Sequence, residues 1–171
     1  VHARLGGAAR TKTIDLSRTY LDWFERNLAL NGLAPTDDHV TLHADCLDSV
    51  AAGPAPGEAY DLVICDPPTF SNSKRMRAGS FAIERDAGRL LDYVARFVAP
   101  GGEILFSTNA RRFTLDENAV PSGFGAREIT AQTVPEDFRN RTIHRCWRLV
   151  EGWAPKRARH APPSRREGGD A

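Results

Sequence analysis

Cysteine is scarce: the chain has only Cys46, Cys65 and Cys146, with no CxxC pair. That spacing reads neither as a disulfide framework nor as a cysteine zinc site, so a reducing cytoplasm is the expected compartment. Long apolar runs are also missing. No stretch approaches the roughly 20 consecutive apolar residues that a bilayer crossing needs, and no charged-then-apolar secretory segment opens the chain. A soluble protein with no membrane partner is expected. No initiating methionine is present, and the twelve residues from Val1 read as the end of something longer, so the sequence is taken as a fragment. Charge excess is lacking as well, with 23 Lys and Arg against 22 Asp and Glu. A net +1 points to no nucleic-acid partner by itself. The five histidines, His43 and His144 among them, have no partner at metal-ligand spacing; they read as packing or surface residues, and no metal is expected.

What is present describes one domain and a tail. The 171 residues are 41% hydrophobic and 26% charged, within the range of a single globular unit. From Glu151 onward five basic residues (Lys156, Arg157, Arg159, Arg165, Arg166) face three acidic ones, leaving the first 150 residues at −1. The same stretch carries Pro155, Pro162, Pro163, Gly168 and Gly169, with almost nothing apolar after Trp153. Residues 1–150 are therefore expected to form the domain and 151–171 a basic, disordered extension, either merely solvated or an RNA-contacting arm.

Within the domain, β-branched runs alternate with helical spacing, as in βα units on a mainly parallel sheet. Thr11–Leu16 reads as a strand and Ser17 as an N-cap. Tyr20, Phe24 and Leu28 then form one apolar helix face, stopped by Asn31-Gly32. Val40–Ala44 is a second strand. Tyr60–Cys65 (YDLVIC) is a third, apolar enough to be covered on both faces. Leu90, Leu91, Val94, Phe97 and Val98 mark a helix ending at Pro100-Gly101-Gly102, and Glu103–Ser107 is the next strand. Ala126–Thr130 and Ile143–Val150, joined by a polar loop with no room for a crossover helix, predict an antiparallel pair at the sheet edge.

Three features fall at the carboxyl ends of successive strands, where open α/β sheets bind ligands. Asp15 ends the first strand; it can accept both hydroxyls of a ribose or help cap the helix that follows. Asp45 and Cys46 follow the second strand. A carboxylate here can accept from an adenine amine, or Asp45 can cap a short helix through Val50. Asp66-Pro67-Pro68-Thr69-Phe70 follows the third strand. Its two prolines remove two N–H donors and stiffen the loop, which therefore presents carbonyl oxygens beside the Asp66 carboxylate and the flat Phe70 ring. Rigid acceptors next to an aromatic face suit a nucleobase taken out of its stack.

In this order, Asp, then Ala-Asp-Cys, then Asp-Pro-Pro, the chain resembles class I S-adenosylmethionine-dependent methyltransferases. More narrowly, DLSRTYLDWFERNLALNG (15–32), DLVICDPPTFSNSKRM (61–76) and DFRNRTIHRCW (137–147) resemble the C-terminal half of the bifunctional bacterial 23S ribosomal RNA guanine methyltransferases. In that family the N-terminal half of the polypeptide makes N2-methylguanine and this half makes N7-methylguanine. The resemblance implies a Rossmann-like α/β sheet, mostly parallel with an antiparallel C-terminal pair, and S-adenosylmethionine as cofactor. It implies that Asp15 holds the cofactor ribose and that Asp45 and Cys46 contact its adenine. Asp66 and Pro67 would line the place where sulfonium and base meet, and Pro68, Thr69, Phe70, Asn72 and Lys74 would face 23S ribosomal RNA. The family carries a strand and a glycine-rich turn just before the position of Val1, and this sequence does not. The fragment alone is therefore expected to be inactive.

Two other readings compete. RNA 5-methylcytosine formation needs a cysteine that adds to the pyrimidine ring. After the Glu103–Ser107 strand the sequence is Ser107-Thr108-Asn109, while Cys65 and Cys146 sit within strands and read as packing residues. A non-catalytic RNA-binding remnant would rely on Lys74, Arg75, Arg77, Arg111, Arg112, Arg139 and Arg141 to meet phosphates.

Overall fold

The computed structural model describes residues 1–72, 80–140 and 143–153. Lys74, Arg75, Arg77, Arg141 and nearly all of the basic tail lie outside the described residues. A short helix α1 (His2–Leu5) precedes strand β1 (Thr11–Asp15). The Ser17 hydroxyl accepts from the Tyr20 amide at 3.4 Å and starts helix α2 (Arg18–Leu30), which ends at Asn31 before Gly32 at φ +69°. Its buried residues are Leu21 and Leu28, two turns apart, whereas Tyr20 is exposed. The covered stripe is Leu21, Phe24 and Leu28: it keeps Phe24 and Leu28 of the predicted face and puts Leu21 in the place of Tyr20. Strand β2 (His39–His43) runs parallel to β1, with Asp15 opposite His43.

Helix α3 (Cys46–Ala52) leads to strand β3 (Tyr60–Cys65). A two-residue strand β4 (Phe70–Ser71) pairs antiparallel with β5 (Phe81–Ala82), a ribbon that the sequence reading did not anticipate. Helix α4 (Ile83–Ala95) and strand β6 (Val98–Thr108) follow. After a 3-10 turn at Glu117–Ala119 come β7 (Phe124–Glu128), the short helix α5 (Thr130–Thr133) and β8 (Arg145–Glu151). The order β3-β6-β8-β7 forms one sheet, with β3 and β6 parallel and β8 antiparallel to both its neighbours. The predicted antiparallel closing pair is present.

Helix α4 stops at Ala95, ahead of the predicted Pro-Gly-Gly end, because Val98 already belongs to the sheet and Phe97 makes the turn into it. The Phe97 carbonyl accepts from the Tyr60 amide at 2.8 Å and Val98 pairs with Tyr60. The register then slips, so that Leu62 meets Glu103, and the extra residues of β6 are taken up around Gly101 (φ +77°) and Gly102. A Cβ on Gly102 would lie 2.9 Å from the Ala99 carbonyl oxygen and 3.0 Å from that of Asp61, so only glycine fits this bulge.

The core lies between α4 and the four-stranded sheet. Ile83, Ala87, Leu90, Leu91 and Val94 present one helical stripe to Ile104, Phe106, Trp147 and Leu149. Phe106, Phe113 and Trp147 pack as three mutually contacting rings with centroids 5.5–6.0 Å apart. The other face of β3 is bare, which corrects the expectation that this strand is covered twice: Leu62 is 44% and Ile64 67% exposed. Among the described residues no backbone ladder joins β1 to β3. The link between them is a side-chain one: Lys12 donates to Glu58 at 2.7 Å, and the Tyr60 hydroxyl donates to the same oxygen at 2.9 Å. That hydrogen bond from Lys12 holds the Glu58 carboxyl below its ordinary value.

Candidate functional site

The three predicted carboxylates stand at one end of the strands. Asp15 closes β1, and its backbone carbonyl accepts from the Ala44 amide at 3.2 Å, tying the ends of β1 and β2 together. The Asp15 side chain makes an Asx turn, Oδ1 accepting from the Ser17 amide at 2.6 Å. Asp45 caps α3, with Oδ1 accepting from the amides of Leu47 at 2.9 Å and Asp48 at 3.3 Å. The local capping roles are thus real at both positions. In each carboxylate Oδ2 has no hydrogen-bond partner among the described residues and remains available to a ligand. His43 braces this corner: its Nε2 lies 3.0 Å from the Leu16 carbonyl and its Nδ1 3.4 Å from Arg18. The tautomer that carries its proton on Nε2 satisfies both contacts.

Asp66 follows β3 directly and is exposed. Its Oδ1 accepts from the Ser107 hydroxyl at 2.6 Å, across the parallel β3–β6 pair. Sequence reasoning missed Ser107 as a site residue. The available signal was that two adjacent parallel strands, YDLVIC and EILFS, end in a carboxylate and a hydroxyl. Pro67 is half-buried, whereas Pro68, Thr69 and Phe70 are exposed, Phe70 by 59%. The loop is anchored at its far end, where the Thr69 carbonyl accepts from the Ile83 amide at 3.1 Å and Phe70 pairs with Ala82. Asn72 is exposed beyond the ribbon; Lys74 falls outside the described residues.

All three cysteine thiols are held above the ordinary cysteine range. Burial first, then the nearby Asp15 and Asp45 charges, push the Cys46 thiol to about 11; its Sγ donates to the Ile14 carbonyl. Burial, with Asp66 and Cys46 adding to it, takes Cys65 to about 12. Cys146 is likewise raised, chiefly by burial. A raised thiol pKa disfavours the thiolate that covalent attack on a pyrimidine requires.

Topology gathers basic side chains at this end. Arg111 and Arg112 follow the end of β6, and Arg139 lies in the loop entering β8, whose first residue pairs with Thr108. A shallow hollow lined by Arg10, Thr11, Asp38, Val40, Glu58 and Tyr60 sits at the opposite, amino ends of β1 and β3, away from the carboxylates. Ligands of open α/β sheets bind at the carboxyl ends, so the Asp15–Asp45–Asp66 end is the candidate site. Among the described residues, no group of His, Cys, Asp and Glu could hold a metal ion and no helix is long and apolar enough to cross a membrane.

No protein-family model matches the chain. It is 51% identical over 160 residues to ribosomal RNA large subunit methyltransferase K/L of Methylococcus capsulatus, a match that covers 93% of this chain and 21% of that protein. With ribosomal RNA large subunit methyltransferase K of Neisseria meningitidis serogroup B the identity is 44% over 149 residues, covering 87% of this chain and 41% of the relative. The chain thus spans between a fifth and two-fifths of these relatives. Among solved structures it is similar to the SMU.776 protein complexed with SAH, with a TM-score of 0.71 at 23% identity over 86% of this chain and 40% of the other. A SAM-dependent methyltransferase from Agrobacterium tumefaciens gives a TM-score of 0.63 at 14% identity, covering 83% of this chain and 49% of the other. The two parallel strand pairs, the antiparallel closing strands and these likenesses agree: the fold is that of a class I S-adenosylmethionine-dependent methyltransferase, and over about nine-tenths of its length the chain is similar to a part of the ribosomal RNA large subunit methyltransferases K and K/L.

Proposed function

We propose that this chain is the catalytic part of an S-adenosylmethionine-dependent enzyme that methylates 23S ribosomal RNA at guanine N7. The observation that carries the reading is the Asp66–Phe70 loop. It is stiffened by two prolines, fixed at one end to Ser107 and at the other to Ile83, and offers a carboxylate beside an exposed aromatic face. The relatives supply the ribosomal RNA context. The reading concerns a longer polypeptide of the K/L kind, in which sequence preceding Val1 contributes the glycine-rich turn and an N-terminal half makes N2-methylguanine.

The residues fit an adenosine ligand. Asp15 Oδ2 and Asp45 Oδ2 are acceptors without partners among the described residues, on adjacent strand ends, suited to ribose hydroxyls and an adenine amine respectively. When bound, S-adenosylmethionine supplies an electrophilic methyl on a sulfonium. Guanine N7 carries an in-plane lone pair, so no residue needs to remove a proton. Asp66, held by Ser107, steadies positive charge at the transfer point; Phe70 stacks on the base; Pro67 and Pro68 keep the loop from collapsing. Catalysis is then alignment of nucleophile and methyl group, a positioning effect. Cys65 and Cys146 lie within strands β3 and β8 with their thiols raised by burial, which favours N7-guanine chemistry over a cysteine-dependent 5-methylcytosine route.

The product tests this. N7-methylation places a positive charge on the ring, and mild reduction followed by aniline should cleave 23S RNA treated with the full-length enzyme at one guanosine. Absence of cleavage, with 5-methylcytosine found by nucleoside analysis, would reject the assignment. The 171-residue chain alone is expected to bind S-adenosylmethionine more weakly than micromolar, because the facing edges of β1 and β3 are unladdered and Leu62 and Ile64 are bare. Micromolar binding in a calorimetric titration would contradict that expectation.

A further inference from the structure

Phe70 and Ser71 form a strand of two residues whose partner is the equally short β5, too little pairing to fix an aromatic ring by itself. What fixes β5 is a buried charge. Asp86, only 5% exposed, reaches back along α4, and its Oδ2 accepts from the Ala82 amide at 2.9 Å. Ala82 is the N-cap of α4 and has no side-chain acceptor, so Asp86 does for the N-cap amide what the acidic member of a capping box does. Arg85 grips the same carboxylate, through Nε at 3.1 and 3.2 Å and through Nη2 at 2.7 Å, and that Nη2 also donates to the Ser80 carbonyl at 2.8 Å. Arg89, one turn along, closes the other side at 3.1 Å. The backbone on both sides of Phe81 is thereby tied to one carboxylate, while the Phe81 and Ile83 side chains are buried in the core. A serine or threonine at position 82 could cap α4 without burying an ion, but it could not hold Ser80. Burying a carboxylate is costly unless it is paired, and here two arginines and an amide pair it.

We propose that Asp86, clamped by Arg85 and Arg89, is the positioning residue of the Phe70 platform: it fixes β5 and, through the β4–β5 ribbon, the ring on which the target base stacks. This rests on the reading of the Asp66–Phe70 loop as the RNA-facing part of the site. The role is specific to RNA. Asp86 belongs to neither β1 nor β2, so cofactor affinity should not depend on it.

The test uses the full-length enzyme with Asp86→Asn and, because a change at a buried ion pair can unfold a protein, also Arg85→Gln, whose side chain is largely exposed. Asp86→Asn is expected to raise hydrogen exchange in peptides spanning 69–72 and 80–83, while peptides from β6 and β8 keep their protection. It should raise KM for 23S RNA about tenfold, equivalent to about 1.4 kcal/mol, with the dissociation constant of S-adenosylhomocysteine unchanged. Arg85→Gln should move the same quantities less, and Phe70→Ala should reproduce the KM change without the exchange at 80–83. Unchanged exchange in both variants would overturn the proposal. So would faster exchange with unchanged KM, since Asp86 would then serve the fold alone. If the unsubstituted enzyme gives no aniline cleavage, the N7 reading fails separately, and the Asp86 role is decided by the same comparison using RNA dissociation constants.

Discussion

Replacing Asp66 by alanine is expected to lower single-turnover methyl transfer by the full-length enzyme by about 10²–10³-fold, the usual loss when one preorganised electrostatic contact is removed from a reacting centre. Binding of RNA and of S-adenosylhomocysteine should change far less. On the proposed N7 chemistry no base is needed, so the carboxylate would act through fixed charge and placement, and such contributions appear in the rate more than in ground-state affinity. Its placement comes from Ser107, whose hydroxyl lies 2.6 Å away across the β3–β6 pair. Ser107→Ala should therefore reduce the rate about tenfold, the lower end of the roughly 1.5–3 kcal/mol that a hydrogen bond to a charged group contributes. Asp66→Asn, which keeps an acceptor for Ser107 but loses the charge, should fall between the two. Rates within threefold of the parent in all three variants would remove Asp66 from the reaction.

The parts of this molecule that were legible in its sequence are those decided by near neighbours along the chain. Ser17 announces α2, Asn31-Gly32 ends it, and the alternation of β-branched runs with helical spacing places β1, β2, β3 and the closing pair within a few residues. Errors arise where a distant partner overrides local preference. Val98 extends the apolar spacing of α4, yet its pairing with Tyr60 draws it into β6. Tyr20 has the right spacing for a buried face, but it is Leu21, with Leu28, that is buried instead. YDLVIC has the composition of a strand covered twice, and composition says nothing about which face a neighbouring layer reaches.

The site follows the same division. The strand-end placement of Asp15, Asp45 and Asp66 could be read because each follows or ends a recognisable strand, and the Asp-Pro-Pro run carries its rigidity in its own covalent geometry. Ser107 and Asp86 could not. Ser107 acquires its meaning from a residue 41 positions away. Asp86 sits in a helical pattern where an acidic residue is ordinarily a solvated face, and only the fold shows it buried between Arg85 and Arg89.

Asp15→Asn is expected to weaken S-adenosylhomocysteine binding to the full-length enzyme about a hundredfold. The asparagine keeps a carbonyl oxygen in the place of Oδ1, so the Asx turn to the Ser17 amide at 2.6 Å and the start of α2 survive, and the fold should be intact by circular dichroism. What changes is the second position. Oδ2, without a partner among the described residues, is the acceptor assigned to a ribose hydroxyl, and in asparagine it becomes an NH2 donor facing another donor. A charge-assisted hydrogen bond contributes roughly 1.5–3 kcal/mol, and loss near the upper end corresponds to about two powers of ten in affinity. S-adenosylhomocysteine is the ligand to titrate, since it retains the adenosine and cannot turn over. Asp45→Asn, in contrast, keeps the cap on α3 and loses a contact to an amine at the edge of the base, so a smaller change is expected. An Asp15→Asn affinity within threefold of the parent would mean that the carboxylate serves only the turn before α2, and the ribose would have to be held elsewhere in the polypeptide.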